Sequence, residues 1–196
     1  MILIVLVSCE KKGANQKEKI ENITQNIREV DGNLLQSRNG IYYMPTEENP
    51  FTGISISKYE NGQVERMVNY KNGIQNGEYI SYTDKGQVCF KIDFKNGDRH
   101  GKQIVYFENG QIKNKSDFKE GKEHGEVFDY FESGQIQRKF NYKDGKQHGE
   151  QIGYYANGQV EFKFNYNDGE LHGESILYYD NGQVKCKSNF KNGIIQ

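Results

Sequence analysis

Four histidines, His100, His124, His148 and His172, stand 24 residues apart, and each is followed by glycine. Imidazole binds metals and moves protons near neutral pH, so such a row invites a metal-site reading. Zinc, however, holds its nitrogen ligands at about 2.0–2.1 Å. If each 24-residue unit is a pair of strands, equivalent side chains lie about 9–10 Å apart, and the imidazoles cannot converge on one ion. They read as turn residues instead, and Asn76 takes the same slot in the first unit. Cys89 and Cys186 are four units apart, about 35–40 Å on this spacing, beyond the ~7 Å limit for a disulfide. Both are expected as free thiols, Cys89 on the polar face and Cys186 on the apolar one. Catalysis needs unlike groups converging once, and no Ser-His-Asp, paired-acid or metal arrangement breaks the repeat. The chain therefore reads as no enzyme, with no cofactor and no metal; an enzyme is the alternative that a single residue breaking register in a deep pocket would revive.

The repeat itself sets the architecture. Asn-Gly-Gln-Val or a near variant recurs with its glycine at Gly62, Gly86, Gly110, Gly134, Gly158 and Gly182. A second glycine keeps the same interval at Gly73, Gly97, Gly121, Gly145, Gly169 and Gly193. Such a period marks one supersecondary element stacked on its neighbours. The 196 residues contain 14 Tyr, 11 Phe and no Trp, which suits strands better than helices. In the unit Gly77 to His100, apolar residues alternate on both strands. A three-residue turn, Asp84-Lys85-Gly86 with left-handed glycine, pairs Tyr82 with Val88 and Ile80 with Phe90, so all apolar residues share one face. Units then join through loops such as Lys95 to Gly101. The expected fold is all-β: an elongated single-layer antiparallel meander of 24-residue β-hairpin repeats. Residues 32–52 form an irregular first hairpin and residues 53–196 the strict repeats.

The segments Pro50-Phe51-Thr52-Gly53 and Tyr70-Lys71-Asn72-Gly73, with the His-Gly steps, resemble the variant MORN repeat of YwqK-type antitoxin proteins from bacteria. The similarity covers residues 32–196. It implies a β-hairpin module that binds other proteins or membrane lipids. An antitoxin or immunity protein that covers a toxin is the alternative the resemblance brings. MORN repeats also accompany lipid kinase domains, but this chain has neither a phosphate-cradling glycine motif nor room for a kinase.

On the expected register the apolar face carries Tyr82, Tyr106, Tyr130, Tyr154 and Tyr178 with Ile80, Ile104, Phe128, Ile152 and Ile176. Phe94, Phe118, Tyr142, Tyr166 and Phe190 continue it. The opposite face carries Lys91, Lys115, Lys139, Lys163 and Lys187, with a row of Asp93, Asp117, Asn141, Asn165 and Asn189. Beside the turns stand Tyr59, Phe107, Phe131, Tyr155 and Tyr179. Lysine with exposed aromatics can grip a protein partner or an anionic membrane or envelope component. The bland alternative is a solvated face whose lysines neutralise neighbouring acids. The net charge of -1 gives no general pull on nucleic acid, which is not an expected partner.

Residues 1–8 read as the remnant of a signal peptide. Leu6-Val7-Ser8-Cys9 resembles a bacterial lipobox, which implies lipidation at Cys9 and a location at the cell envelope. Residues 9–31 then form a tether. Ile20, Ile23, Ile27 and Val30 recur at spacings of three and four, which predicts a short helix over Gln16 to Val30. At the other end Lys185, Lys187 and Lys191 protect an exposed edge strand, where strand addition by another chain is the alternative.

Overall fold

The computed structural model describes residues 27–196. An N-terminal part contains β1 (Glu29–Asp31), a 3-10 turn (Gly32–Leu34), β2 (Gln36–Arg38) and β3 (Ile41–Tyr43). The repeats begin with β4 (Gly53–Lys58), β5 (Val64–Lys71), β6 (Ile74–Tyr82), β7 (Val88–Lys95), β8 (Asp98–Tyr106) and β9 (Ile112–Lys119). They continue as β10 (Lys122–Glu123), β11 (Gly125–Tyr130), β12 (Ile136–Lys143), β13 (Lys146–Gln147), β14 (Gly149–Tyr154) and β15 (Val160–Asn167). The last are β16 (Glu170–Leu171), β17 (Gly173–Tyr178), β18 (Val184–Lys191) and β19 (Ile194–Ile195). All but β2 and β3 join one 17-stranded sheet, antiparallel throughout except at β1, with β10 and β11, β13 and β14, and β16 and β17 each running as two segments against one neighbour. This is the long single meander that the repeat predicts.

Two turn chemistries alternate along it. At one edge three residues, such as Glu60-Asn61-Gly62, are closed by the Tyr59 N–H donating to Gln63 O at 2.8 Å. Gly62 and Gly86 have φ of 84° and 79°, the left-handed conformation that glycine adopts without strain. The expected three-residue turn is therefore present, and Tyr82 does pair with Val88. The expected loop Lys95 to Gly101 is not a loop. Asn96-Gly97 alone turns the chain, with φ of 53° and 90° as a two-residue hairpin of the mirror-image type requires. Strand β8 starts directly after it.

The register differs from expectation by one residue, and the reason is local. Below the Tyr82–Val88 pair, Ser81 faces Phe90 and Ile80 faces Lys91, so Cys89 is an extra, bulged residue. The same shift leaves Glu65, Lys113, Gln137, Glu161 and Lys185 extra in the other units. Ile80 thus does not pair with Phe90. A bulge puts two residues against one, and because side chains alternate, one residue of slip carries the isoleucine row onto the lysine face. Ile80, Ile104, Phe128, Ile152 and Ile176 therefore leave the apolar face, and Tyr82, on the same side of its strand as Ile80, rests its hydroxyl 3.5 Å from Met67 Sδ.

The face that remains apolar is the buried one. Ser55, Val68, Ile92, Ser116, Phe118, Val127, Gln151 and Ser175 are all buried there. Tyr79 stacks on Phe90 at 5.3 Å and Phe162 on Phe164 at 4.7 Å. Small Ser55, Ser116 and Ser175 alternate with larger Val68, Val127 and Phe164, so a single layer still fills its surface. The best-buried cluster, Phe51, Val68 and Tyr70, lies where the N-terminal part meets the first unit.

That part caps the sheet edge. Residues Glu29–Asp31, at the end of the expected helix, are instead extended and pair parallel with Ile54 to Ile56. Ile27, another residue of the stripe, is not helical and is 68% exposed, while Ile20, Ile23 and Cys9 lie outside the described residues. Pairing β1 on β4 satisfies backbone groups that an edge would leave open, whereas a short helix must bear a nucleation cost. The β2–β3 hairpin docks through Tyr42, whose N–H donates to Gly73 O at 2.9 Å. Arg28 forks onto Glu47 at 2.8 and 2.6 Å, and that hydrogen bond holds the Glu47 carboxyl below its ordinary range.

The face assignment has a direct check. Phe118, 6% exposed, lies on the buried face, and Phe118→Ala should cost about 3–5 kcal/mol in urea unfolding. Phe128→Ala, on the lysine face, should cost clearly less; equal losses would contradict the register.

Candidate interaction surface

One row runs the length of the lysine face. Its cross-strand neighbours are Ile56–Met67–Ile80–Lys91–Ile104–Lys115, then Phe128–Lys139–Ile152–Lys163–Ile176–Lys187. Lys91, Lys115, Lys139 and Lys163 are therefore brought into register, but between apolar residues rather than on a wholly polar face. An aliphatic lysine stem packs well against isoleucine while its ammonium stays in water. Cross-strand pairs of this kind stabilise a sheet by about 0.2–1 kcal/mol each.

The electrostatics of the row are uneven. Lys139 Nζ lies 2.5 Å from Glu126 and Lys187 Nζ 2.7 Å from Glu174. The hydrogen bond to Glu126 raises the Lys139 ammonium above its ordinary range, with burial opposing it and the charge of Glu126 adding to it. Among the described residues no carboxylate lies within ion-pair distance of Lys91, Lys115 or Lys163. Lys139 also sits 5.7 Å over the Phe128 ring.

The aromatics at the turns are placed by the neighbouring unit. The Tyr59 hydroxyl donates to Tyr82 O, and the Tyr155 hydroxyl to Tyr178 O, both at 2.8 Å. Desolvation is the main reason both hydroxyls are held above the ordinary phenol range. Phe107 and Phe131 fill the same slot and are half-buried. Tyr179, with no further turn packed on it among the described residues, is 47% exposed, and Lys185 lies 5.7 Å from its ring. Four of these five aromatics thus serve turn-to-turn packing, and Tyr179 alone among them is exposed. Turn asparagines reinforce the same edge: Asn61 Nδ2 donates to Asp84 O and Asn157 Nδ2 to Asp180 O, both at 2.8 Å.

Asp93, Asn141 and Asn165 have a backbone task that sequence reasoning did not find. The His-Gly step interrupts pairing, and the His148 and His172 N–H groups donate to Asn141 O and Asn165 O at 2.9 and 2.8 Å. Asn141 and Asn165 side chains then hold Glu150 O and Glu174 O, while Asp93 accepts from the Lys102 N–H at 3.2 Å. An amide or carboxylate recurring beside a His-Gly step was the available signal. The histidine rings reach the next unit's two-residue turn. His124 and His148 place Nδ1 3.5 and 4.0 Å from Asp144 and Asp168, and His172 lies 3.3 Å from Asn192. The first two are not aligned as hydrogen bonds. No group of three or more possible metal ligands occurs among the described residues, and both described cysteines are free thiols.

Comparison with known proteins accords with this geometry. The MORN repeat variant model matches six times, over residues 51–72, 75–96, 99–120, 123–144, 147–168 and 171–192. The chain belongs to the MORN repeat variant family. Its matched segments start and stop near the two-residue turns, so one family unit is one three-residue hairpin with its flanking strands. No curated protein matches the chain. One solved structure, a GtfA/B complex bound to UDP and GlcNAc, is 15% identical over 87% of this chain, with a TM-score of 0.23. This chain spans 29% of that one. As a MORN repeat variant protein, the chain is a repeat scaffold.

The turn aromatics can be tested as a pair. Tyr155→Phe deletes the hydroxyl bond to Tyr178 and should lower the urea midpoint measurably. Tyr179→Phe, with no such bond, should leave it unchanged. Equal effects would show that packing between turns does not depend on this bond.

Proposed function

We propose that the chain is a non-catalytic scaffold of the bacterial cell envelope, lipid-anchored at Cys9, whose lysine face binds a membrane-associated anionic partner. The observation that carries the reading is the continuous row of alternating lysine and apolar residues. An ammonium every second strand repeats about every 9–10 Å, a spacing suited to an extended anionic polymer or headgroup layer. Between the charges, Ile104, Phe128 and Ile152 offer apolar contact. Electrostatic attraction of this kind is strongest at low salt and weakens as ions screen it. The lipobox-like Leu6-Val7-Ser8-Cys9 supports an anchor that would hold this face near a membrane.

Two experiments test the two parts. Cys9→Ser should move the protein from the membrane fraction to the soluble fraction; unchanged partitioning would reject lipidation. Replacing Lys91, Lys115 and Lys163 together by glutamate should abolish low-salt binding to anionic vesicles without lowering the melting temperature by more than a few degrees. Equal binding by that variant would remove the lysine face from the function. Recovery of one stoichiometric protein partner, toxic when expressed alone, would favour the antitoxin reading instead.

A further inference from the structure

The repeat is broken at one place in the structure where polar groups converge. Between the N-terminal cap and the first unit lies a cavity of about 210 Å3. It is lined by Leu35, Tyr42, Tyr70, Tyr79 and Val68 on its apolar side and by Ser55, Ser57, Arg66 and Gln75 on its polar side. At ~30 Å3 of liquid per water, that volume equals about seven waters. It suits a small organic molecule rather than a ligand that needs the usual pocket of about 300–1,000 Å3.

Arg66 is the only charged side chain among those lining residues, and the repeat supplies its internal control. In the fourth unit the equivalent residue is Arg138, whose cross-strand partner is Asp129. There the guanidinium Nε lies 3.2 Å from the Asp129 carboxylate. In the first unit the residue opposite Arg66 is Ser57. The Arg66 Nε donates to Ser57 Oγ at 3.0 Å, and no other side-chain hydrogen bond of Arg66 occurs among the described residues. The two terminal nitrogens of the fork are thus without the carboxylate that the same position has elsewhere. Two acids of the cap, Glu29 and Asp31, line a different opening, and Asp31 Oδ1 accepts from the Asn33 N–H at 2.9 Å.

The hydroxyl side is built as well. Ser57 is 1% exposed and Ser55 4% exposed, and both are packed under the cap. A methyl group at Gly32 would come within 2.6 Å of Ser57 Oγ, so glycine there leaves room for that hydroxyl. Arg66 itself is solvent-exposed, which leaves the charged end of the cavity accessible. An arginine fork matches a carboxylate better than any other small group, and neighbouring hydroxyls add donors. Tyr70 and Tyr79 supply flat apolar walls for the remainder of the ligand.

We propose that this cavity binds a small organic carboxylate, with its head group on Arg66 and Ser57 and its apolar body against Tyr70, Tyr79 and Leu35. The ligand takes the place that Asp129 holds beside Arg138. Binding here also bridges the cap and the first repeat, so occupancy stabilises that junction by mass action. This site is separate from the lysine face, since Arg66 and Ser57 lie on the buried face.

The test is a titration of the full chain with sodium benzoate, read by amide chemical shifts and by melting temperature. Saturable shifts confined to Ser55, Ser57, Arg66, Gln75 and Tyr79, with a rise in melting temperature, are expected. Benzamide, the uncharged isostere, should produce neither. Arg66→Gln should weaken benzoate binding about tenfold or more, as expected for loss of a charged hydrogen bond. Ser57→Asp, which supplies the fourth unit's internal carboxylate, should abolish it even if Arg66→Gln fails to fold. Arg138→Gln should leave it unchanged. No saturable shift, equal binding of benzamide, or undiminished binding in Ser57→Asp would overturn the proposal. Inorganic phosphate binding as tightly as benzoate would overturn the role given to the aromatic walls.

Discussion

At each three-residue hairpin tip, a left-handed glycine and the extra residue that follows act on one strand pair. The glycine lets the chain reverse in three residues, which sets Tyr82 against Val88. The bulged residue then moves every later pair by one. Together they decide which side chains share a face, and the rest of the molecule depends on that choice. Had the ladder continued without the bulge, isoleucine would meet phenylalanine and lysine would stand on a polar surface. With it, aromatic side chains of the second strands meet serine, glutamine and valine on the buried side. Isoleucine and lysine then interleave on the other. The energetic sense is that a single layer cannot bury two apolar faces. Lysine stems shield isoleucine in part, without the dehydration of charge that a second layer would impose.

Contacts between units are as important as those within them. The glycine of each two-residue turn donates its N–H to a carbonyl of the preceding unit, as in Gly97 to Gln75 and Gly121 to Arg99, both at 2.9 Å. At the opposite edge Tyr59 and Asn61 reach forward to the following turn. Both edges are thus stitched by bonds to the next unit, as expected of an array whose stability is a sum of unit and interface contributions. Repetition of this kind suits display. Like groups recur at a fixed distance, whereas converging unlike groups need a place where the repeat stops.

The N-terminal cap is such a place. There β1 adds a parallel edge to β4, the 3-10 turn passes over Ser55 and Ser57, and the β2–β3 hairpin leans on the first two-residue turn. Phe51, 1% exposed, anchors the junction against Tyr70. The lysine row and the cavity under the cap lie on opposite faces of the sheet. They share only the strands between them.

The amino-acid sequence by itself determined the period, the strand-and-turn character of each unit, the left-handed glycines and the antiparallel meander. These follow from backbone limits on glycine and from short connections, which are local properties. It also placed Phe94, Phe118 and Tyr142 on the apolar side, because each stands two residues beyond another inward residue of its own strand, Ile92, Ser116 and Phe140. Only the tertiary structure decided how one strand registers against the next. The bulged positions, Glu65, Cys89, Lys113, Gln137, Glu161 and Lys185, share no side-chain chemistry, so no residue pattern marked them. Their conformation is set by the hydrogen bonds of the partner strand. For the same reason Val30 read as helical in isolation yet became a strand, since the open edge of β4 was there to receive it.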